Sequence, residues 1–400
     1  MIEALAGQVT RRRLLILGVA LLPVTILMEL IIIWWDPANR WKFPLGHDFV
    51  AFWIAAQLYA EGGLALLYDF AAFEAAQEPI SVRPGLLLWL YPPLYLVLIL
   101  PLGAVSFVVG YLLFTAVNLG AINAVAARIK PFPGAVGWAA LIGSPIMVGA
   151  VIQGQNGAFF AACLIGGFVL REKGWSWASA LVFAMVLAKP QYGPLIPVAL
   201  IALRDWPALL RVTICCAALL LLATGIFGFE IWPYFVENAR VVEYMLHEPG
   251  LLAHMPSVWA ASTLLGASPE LAISLHGTVA LMAIAVVWWA FRQPSIPQDL
   301  KLATLLIGTL LISPYAYRYD MVITLAGVLL LMRHWSKFDS GSVAKLVLAG
   351  LWFWPAFFMP VTVVSGVPTG PLIFFAGLAL CVLFSRASAT GATRLAKLAV

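Results

Sequence analysis

Charge is what this chain has least of. Among 400 residues, 23 are Lys or Arg and 18 are Asp or Glu, 10% in all, against 63% hydrophobic residues. A soluble chain carries about 25% charge, and no soluble core accounts for that deficit, so the solvent for most of this chain is lipid. Its apolar runs are long and continuous, which favours membrane helices over the alternating segments of a barrel. Cysteine is scarce too. Cys163, Cys215, Cys216 and Cys381 all lie in apolar runs, which indicates neither a disulfide framework nor a zinc site. There is no Walker-type loop and no dinucleotide fingerprint. No basic cluster is large enough for a nucleic-acid partner, and the net charge of +5 reads as the cytoplasmic loops of a membrane protein.

What is present is a series of apolar stretches. A span needs about 20 such residues. Clear candidates cover 14–35, 211–229, 270–291, 344–362 and 371–385. Shorter or proline-divided ones cover 134–150, 155–170, 174–188, 189–204, 300–314 and 320–333, and 90–127 is apolar throughout but broken at Pro101. The run after Arg11–Arg13 is too long for a signal peptide and lacks a small-residue cleavage site, so it reads as an uncleaved first span. The positive-inside rule puts both termini in the cytoplasm. The expectation is an all-α polytopic membrane protein of about 12 spans, forming one domain over 1–400. Two segments, 36–89 and 230–269, then fall on the outer side, where they would roof a site. "DFVAFWIAAQLYAEGG", "ALLYDFAAFEAAQEPI" and "EIWPYFVENARVVEYMLHEPG" within them suit amphipathic helices lying at the interface.

Against this background a few polar groups need explaining. Asp48 precedes a helix beginning at Phe49; it can cap that helix, and it is also placed to act as a general base. His47 either assists it or faces water. Glu74 and Glu78 share a helix face and could bind a divalent ion, though a hydrated face is the commoner outcome. Pro92 and Pro93 can start a helix, with Tyr91 at its mouth. Gln155 and Asn156, in "VIQGQNGAFF", are costly at membrane depth unless paired; they fit sugar hydroxyls or a hydrogen-bonded turn equally well. In "AKPQYGP", Lys189 is either a snorkelling lysine or a phosphate ligand, beside Gln191 and Tyr192. In "LISPYAYRYDMVITL", Arg318 could grip phosphate oxygens with Asp320 orienting it or facing a sugar, or the two could simply pair with each other. His254 and Arg240 lie on the other outer segment. Topology puts Asp48, Lys189 and Arg318 on one membrane face, although more than a hundred residues separate each from the next.

The segments "GHDFVAFWIAAQLYAEGGLALLYDFAAF", "YPPLYLVLILPLG", "GQN", "KPQYGPLIPVALIALRDW" and "SPYAYRYDMVITL", taken in order, resemble glycosyltransferase family 87. The resemblance implies a GT-C architecture and an inverting transferase of the bacterial inner membrane. Such an enzyme takes a sugar, often mannose, from a polyprenyl-phosphate carrier and gives it to a glycolipid or glycan at the periplasmic face. It implies Asp48 as general base and Lys189 and Arg318 at the donor phosphate; His47, Tyr91, Gln155, Asn156, Gln191, Tyr192, His254 and Asp320 are the candidates for contact with sugar or acceptor. No cofactor or metal is demanded, and the expected partners are membrane lipids, donor and acceptor, not nucleic acid. A flippase or secondary transporter of a lipid-linked sugar is the rival reading; a transporter would show midplane charges and an inverted repeat.

Overall fold

The computed structural model describes residues 45–80, 87, 89–130, 132, 134–245, 247–334 and 343–398, together with 10, 13, 20, 22–27, 30 and 31. Every element among them is helical. Helix α1 (Phe49–Leu67) leads into α2 (Phe70–Gln77), which is capped by Asp69 accepting from Ala72 N–H at 2.8 Å. Pro93 opens α3 (Pro93–Ile99), where a missing N–H costs nothing, and a 3-10 turn (Leu100–Ala104) containing Pro101 precedes α4 (Phe107–Ala124). Helices α5 (Gly134–Ile142) and α6 (Pro145–Gln153) meet at a bend of 56°.

Next come α7 (Gly157–Glu172), α8 (Ser176–Ala184), α9 (Leu195–Ala202) and α10 (Trp206–Phe227). The remainder comprises α11 (Ile231–Met245), α12 (Val258–Leu264), α13 (Pro269–Arg292), α14 (Gln298–Ile312), α15 (Val322–Met332), α16 (Val343–Ser365) and α17 (Gly370–Leu398).

Helices α14 and α15 form the centre. Every residue from Leu300 to Leu311 and from Val322 to Met332 is buried, as suits helices that are apolar on all sides. They pack on each other; α13 and α17 cover α14, and α7 lies against α15. Helix α10 is the opposite case. Only Ala223 and Phe227 of its 22 residues are buried; Leu209 and Leu219 pack against the core, while Leu210, Leu220, Leu221 and Leu222 are exposed apolar side chains that suit lipid as their solvent.

Among the described residues six helices are long and apolar enough to cross a membrane, or seven if the bent pair α5–α6 counts as one; the expected number of about 12 for the whole chain is not confirmed. The runs at 174–188, 189–204 and 320–333 fold as helices of 9, 8 and 11 residues, shortened by 3-10 turns and prolines. The expected first span over 14–35 lies largely outside the described residues. The stretch "DFVAFWIAAQLYAEGG" is expected to lie at the interface. It belongs to α1, whose 19 residues have a mean hydropathy of 1.4 and which meets the length and composition of a crossing helix. Leu64–Leu67 continue the helix past the polar Glu61–Gly63 stretch, with a kink at Gly63 (φ 68°). Helix α11 does separate its apolar and polar residues onto opposite faces, as expected. Its Tyr234 stacks on Tyr68 at 5.4 Å, and Asn238 hydrogen-bonds the Trp89 carbonyl, so the two segments 36–89 and 230–269 meet.

The bundle has two chemically distinct ends. At one, Arg128 reaches Glu172 (3.5 Å) and Asp299 (3.1 Å), Arg333 reaches Asp299 (3.0 Å), and Arg171 reaches Asp205 (2.6 Å). These pairs tie together the ends of α7, α14 and α15. Helix α7 runs from there to Gly157, about 24 Å away at 1.5 Å per residue, where a second polar cluster lies.

Candidate active site

The cluster is organised by four residues, Gly154 to Gly157, between α6 and α7. Gly154 adopts the left-handed conformation that ends α6 (φ 75°, ψ 46°), which glycine supplies without steric cost. A Cβ there would lie 2.6 Å from Phe49 Cβ, so only glycine lets the Asp48 turn come this close. Two backbone bonds then stitch the turns together: Gly46 N–H donates to Ile152 O and Asp48 N–H to Gln153 O, both at 2.8 Å.

Asp48 occupies the N-cap position of α1, but its side chain makes no capping bond. Its backbone is already helical (φ −83°, ψ −21°), not in the extended region from which a cap side chain turns back on the first N–H groups. The capping reading is therefore corrected. The carboxylate instead accepts from Gln155 Nε2 through Oδ2 at 2.7 Å, and His47 Nδ1 stands 3.3 Å from Oδ1. The Asp48 side chain keeps 20% exposure, whereas that of His47 keeps 13%, so His47 does not simply face water.

Asn156, the next residue, faces the other way. Its Nδ2 donates to Tyr95 OH (2.8 Å) and Tyr91 OH (3.2 Å), and its Oδ1 accepts from Lys189 Nζ at 3.4 Å. Lys189 lies in a break between α8 and α9. Pro190 disfavours a helical conformation at the residue before it, and Lys189 sits at φ −144°, ψ 77°. Its ammonium meets Asp320 Oδ1 at 2.6 Å and lies over the rings of Tyr192 (5.1 Å), Tyr319 (5.3 Å) and Tyr91 (5.7 Å). The lysine is thus buried and paired, and it does not snorkel.

Asp320 belongs to the 3-10 turn Arg318–Met321, and its Oδ2 accepts from Tyr317 N–H at 2.9 Å, so both its oxygens are engaged inside the protein. A Cβ on Gly157 would lie 2.9 Å from Tyr319 O, so this glycine admits the second turn as Gly154 admits the first. Arg318 is buried, and its backbone N–H donates to His254 O at 2.9 Å, which brings the His254 segment to the same place. Tyr192 is fully buried, while Gln191 and His254 are half-buried.

Tyr317 and Tyr319 stack at 5.4 Å and line the junction between the two aspartates. Burial above all, then Tyr315, then the fields of Asp48 and Asp320 push the Tyr317 phenol well above its ordinary range. Sequence reasoning did not pick out Tyr95, Tyr315, Tyr317 or Tyr319 as site residues. The alternating tyrosines of "SPYAYRYD" were the available signal: an extended strip before a turn presents every second side chain to one side. Three other candidates stand apart. Arg240 is exposed on α11, and Glu74 and Glu78 are exposed on α2 and the turn after it. Among the described residues no group of three His, Cys, Asp or Glu side chains is arranged to hold a metal ion.

The result is a polar centre made from five separate stretches of chain, with a partly open carboxylate at one side and a buried, tyrosine-lined cation pair at the other. Neither the curated proteins nor the solved structures give a match to this chain. The family model for glycosyltransferase family 87 does, over residues 89–314. That range contains Tyr91, Gln155, Asn156, Lys189 and Tyr192 and leaves Asp48, Arg318 and Asp320 outside it. Because the match takes in more than half of the 400 residues, the chain belongs to glycosyltransferase family 87.

Proposed function

We propose that this glycosyltransferase moves a sugar, with mannose favoured, from a polyprenyl-phosphate carrier to a lipid-linked or glycan acceptor. The setting proposed is the periplasmic face of a bacterial inner membrane, in a GT-C architecture. The observation that carries this reading is the junction of Asp48 with the Lys189–Asp320 pair through two consecutive amides, with buried Arg318 in the same turn as Asp320. Transfer from a phosphate carrier asks for both halves: a carboxylate able to take a proton and cations near the leaving phosphate.

Exposure decides between the two aspartates. Asp48 retains 20% exposure and Asp320 1%, with both of its oxygens already engaged. Asp48 is therefore the proposed base. As the acceptor oxygen bonds to the anomeric carbon, its proton passes to Asp48, the bond from that carbon to the phosphate oxygen breaks, and polyprenyl phosphate leaves with the electron pair. A phosphate leaving group needs little protonation, so a second carboxylic acid of the glycosidase kind is not required. Arg318, whose planar fork matches two phosphate oxygens, and Lys189, part of whose charge Asp320 offsets, are the proposed partners for the phosphate. No metal is assigned a step.

A flippase or secondary transporter of a lipid-linked sugar is the second reading. It would use the cations but has no need of a base at Asp48. The experiment is transfer from a synthetic polyprenyl-phosphate sugar by the purified chain, with product linkage analysis. Asp48→Asn is expected to lower turnover by about 100-fold or more while the thermal midpoint holds. Full activity in Asp48→Asn, or translocation of an intact lipid-linked sugar with no glycosidic bond made, would sink the proposal.

A further inference from the structure

Gln155 is one of the few polar side chains at the centre whose two ends have different surroundings. Its Nε2 donates to Asp48 Oδ2 at 2.7 Å. Its Oε1 is buried and has no hydrogen-bond partner among the described residues. The side chain as a whole is 6% exposed. Beside it lies a cavity of about 10 Å³, lined by Gln155, Thr115 and Asn118 among apolar neighbours. Asn118 is committed elsewhere, donating to Phe114 O at 3.0 Å and accepting from Phe159 N–H at 3.2 Å.

These magnitudes favour a supporting role for Gln155 over the expected one as a sugar ligand. A cavity of this size holds about one water molecule and no part of a sugar ring. Of the two Nε2 hydrogens, one is committed to Asp48. Resting on the proposed base role of Asp48, we infer that Gln155 is a positioning residue: its amide clamps Oδ2 and leaves Oδ1, on the His47 side, as the oxygen that takes the acceptor proton. A water in the small cavity donates to Oε1 and fixes the sense of the amide, nitrogen towards the carboxylate. Gly154 and the two backbone bonds from Gly46 and Asp48 hold the partners in register.

The test compares wild type, Gln155→Leu and Gln155→Glu as full-length protein in detergent, with kcat and KM for donor and acceptor measured across pH. Gln155→Leu is expected to lower kcat by about tenfold or more with both KM values within about threefold, as when a supporting partner is lost and the ligand site is kept. Gln155→Glu places two carboxylates together, and such a pair resists losing its second proton. With one proton held, an O–H replaces the amide N–H as donor to Asp48 and activity is retained. As pH rises and that proton leaves, activity falls, giving an alkaline loss that wild type lacks.

A Gln155→Leu variant with wild-type kcat, or one with raised acceptor KM and unchanged kcat, overturns the positioning role. So does a Gln155→Glu profile superimposable on wild type, a readout that stands even if Gln155→Leu does not fold. Asp48→Asn in the same assay separates the two levels. If it is active, the base assignment has failed; if it is inactive while Gln155→Leu is unimpaired, only the positioning role has.

Discussion

Lys189 Nζ sits 2.6 Å from Asp320 Oδ1, and the two side chains are 5% and 1% exposed. Removing one partner strands the other in a medium that solvates it poorly. Lys189→Met is expected to destabilise the protein by about 3–5 kcal/mol, read as thermal unfolding in detergent. Combining it with Asp320→Asn, which keeps an acceptor for Tyr317 N–H, should recover much of that loss. Strictly additive effects in the double variant would show that the pair is not coupled.

Gly154→Ala asks a residue with a Cβ to adopt φ 75° with Phe49 Cβ only 2.6 Å away. The expected cost is about 1–3 kcal/mol for the backbone alone, more if Phe49 cannot yield. Because Asp48 precedes Phe49, the same push displaces the carboxylate, so turnover should fall more steeply than stability. Wild-type turnover in a folded Gly154→Ala protein would mean that the close approach of the two turns is dispensable.

For Arg318 the informative change is the conservative one. Lysine keeps the charge but loses the planar fork that matches two phosphate oxygens. Arg318→Lys is expected to raise the KM for the polyprenyl-phosphate donor by about tenfold, against little change for the acceptor. An effect confined to the acceptor would move Arg318 away from the phosphate.

At the opposite end, Asp299 joins Arg128 and Arg333, whose side chains keep 28% and 33% exposure. Partly solvated pairs of this kind contribute about 0–1 kcal/mol each. Asp299→Asn should lower the thermal midpoint slightly, by less in high salt, and leave transfer rates alone. A large loss of activity would couple the two ends in a way the packing does not suggest.

The class of protein is legible from composition, since 63% hydrophobic residues admit no other solvent than lipid. The family is legible from the order of its motifs. Asp48, Asn156, Lys189 and Asp320 were each visible as polar groups out of place, and the structure does bring them together. Who pairs with whom was not visible. Lys189 finds Asp320 across 131 residues, where the neighbouring Arg318 looked the natural partner. Asp48 looked like a cap because the position was right; its backbone angles, which no pattern reveals, turn the side chain elsewhere. The span count is not legible with certainty from apolar runs, because hydropathy registers burial in protein and burial in lipid alike. Helix α15 is wholly buried with 11 residues, too few to cross alone.

Gln155 touches Asp48 and Asn156 touches Lys189, and those two amides are adjacent in the chain. The two sides of the site are thus gauged by a single Cα–Cα step of about 3.8 Å. Inserting one residue between Gln155 and Asn156 would leave every side chain present and still put the site out of gauge. The centre has a length as well as a composition, and the tetrapeptide is its ruler.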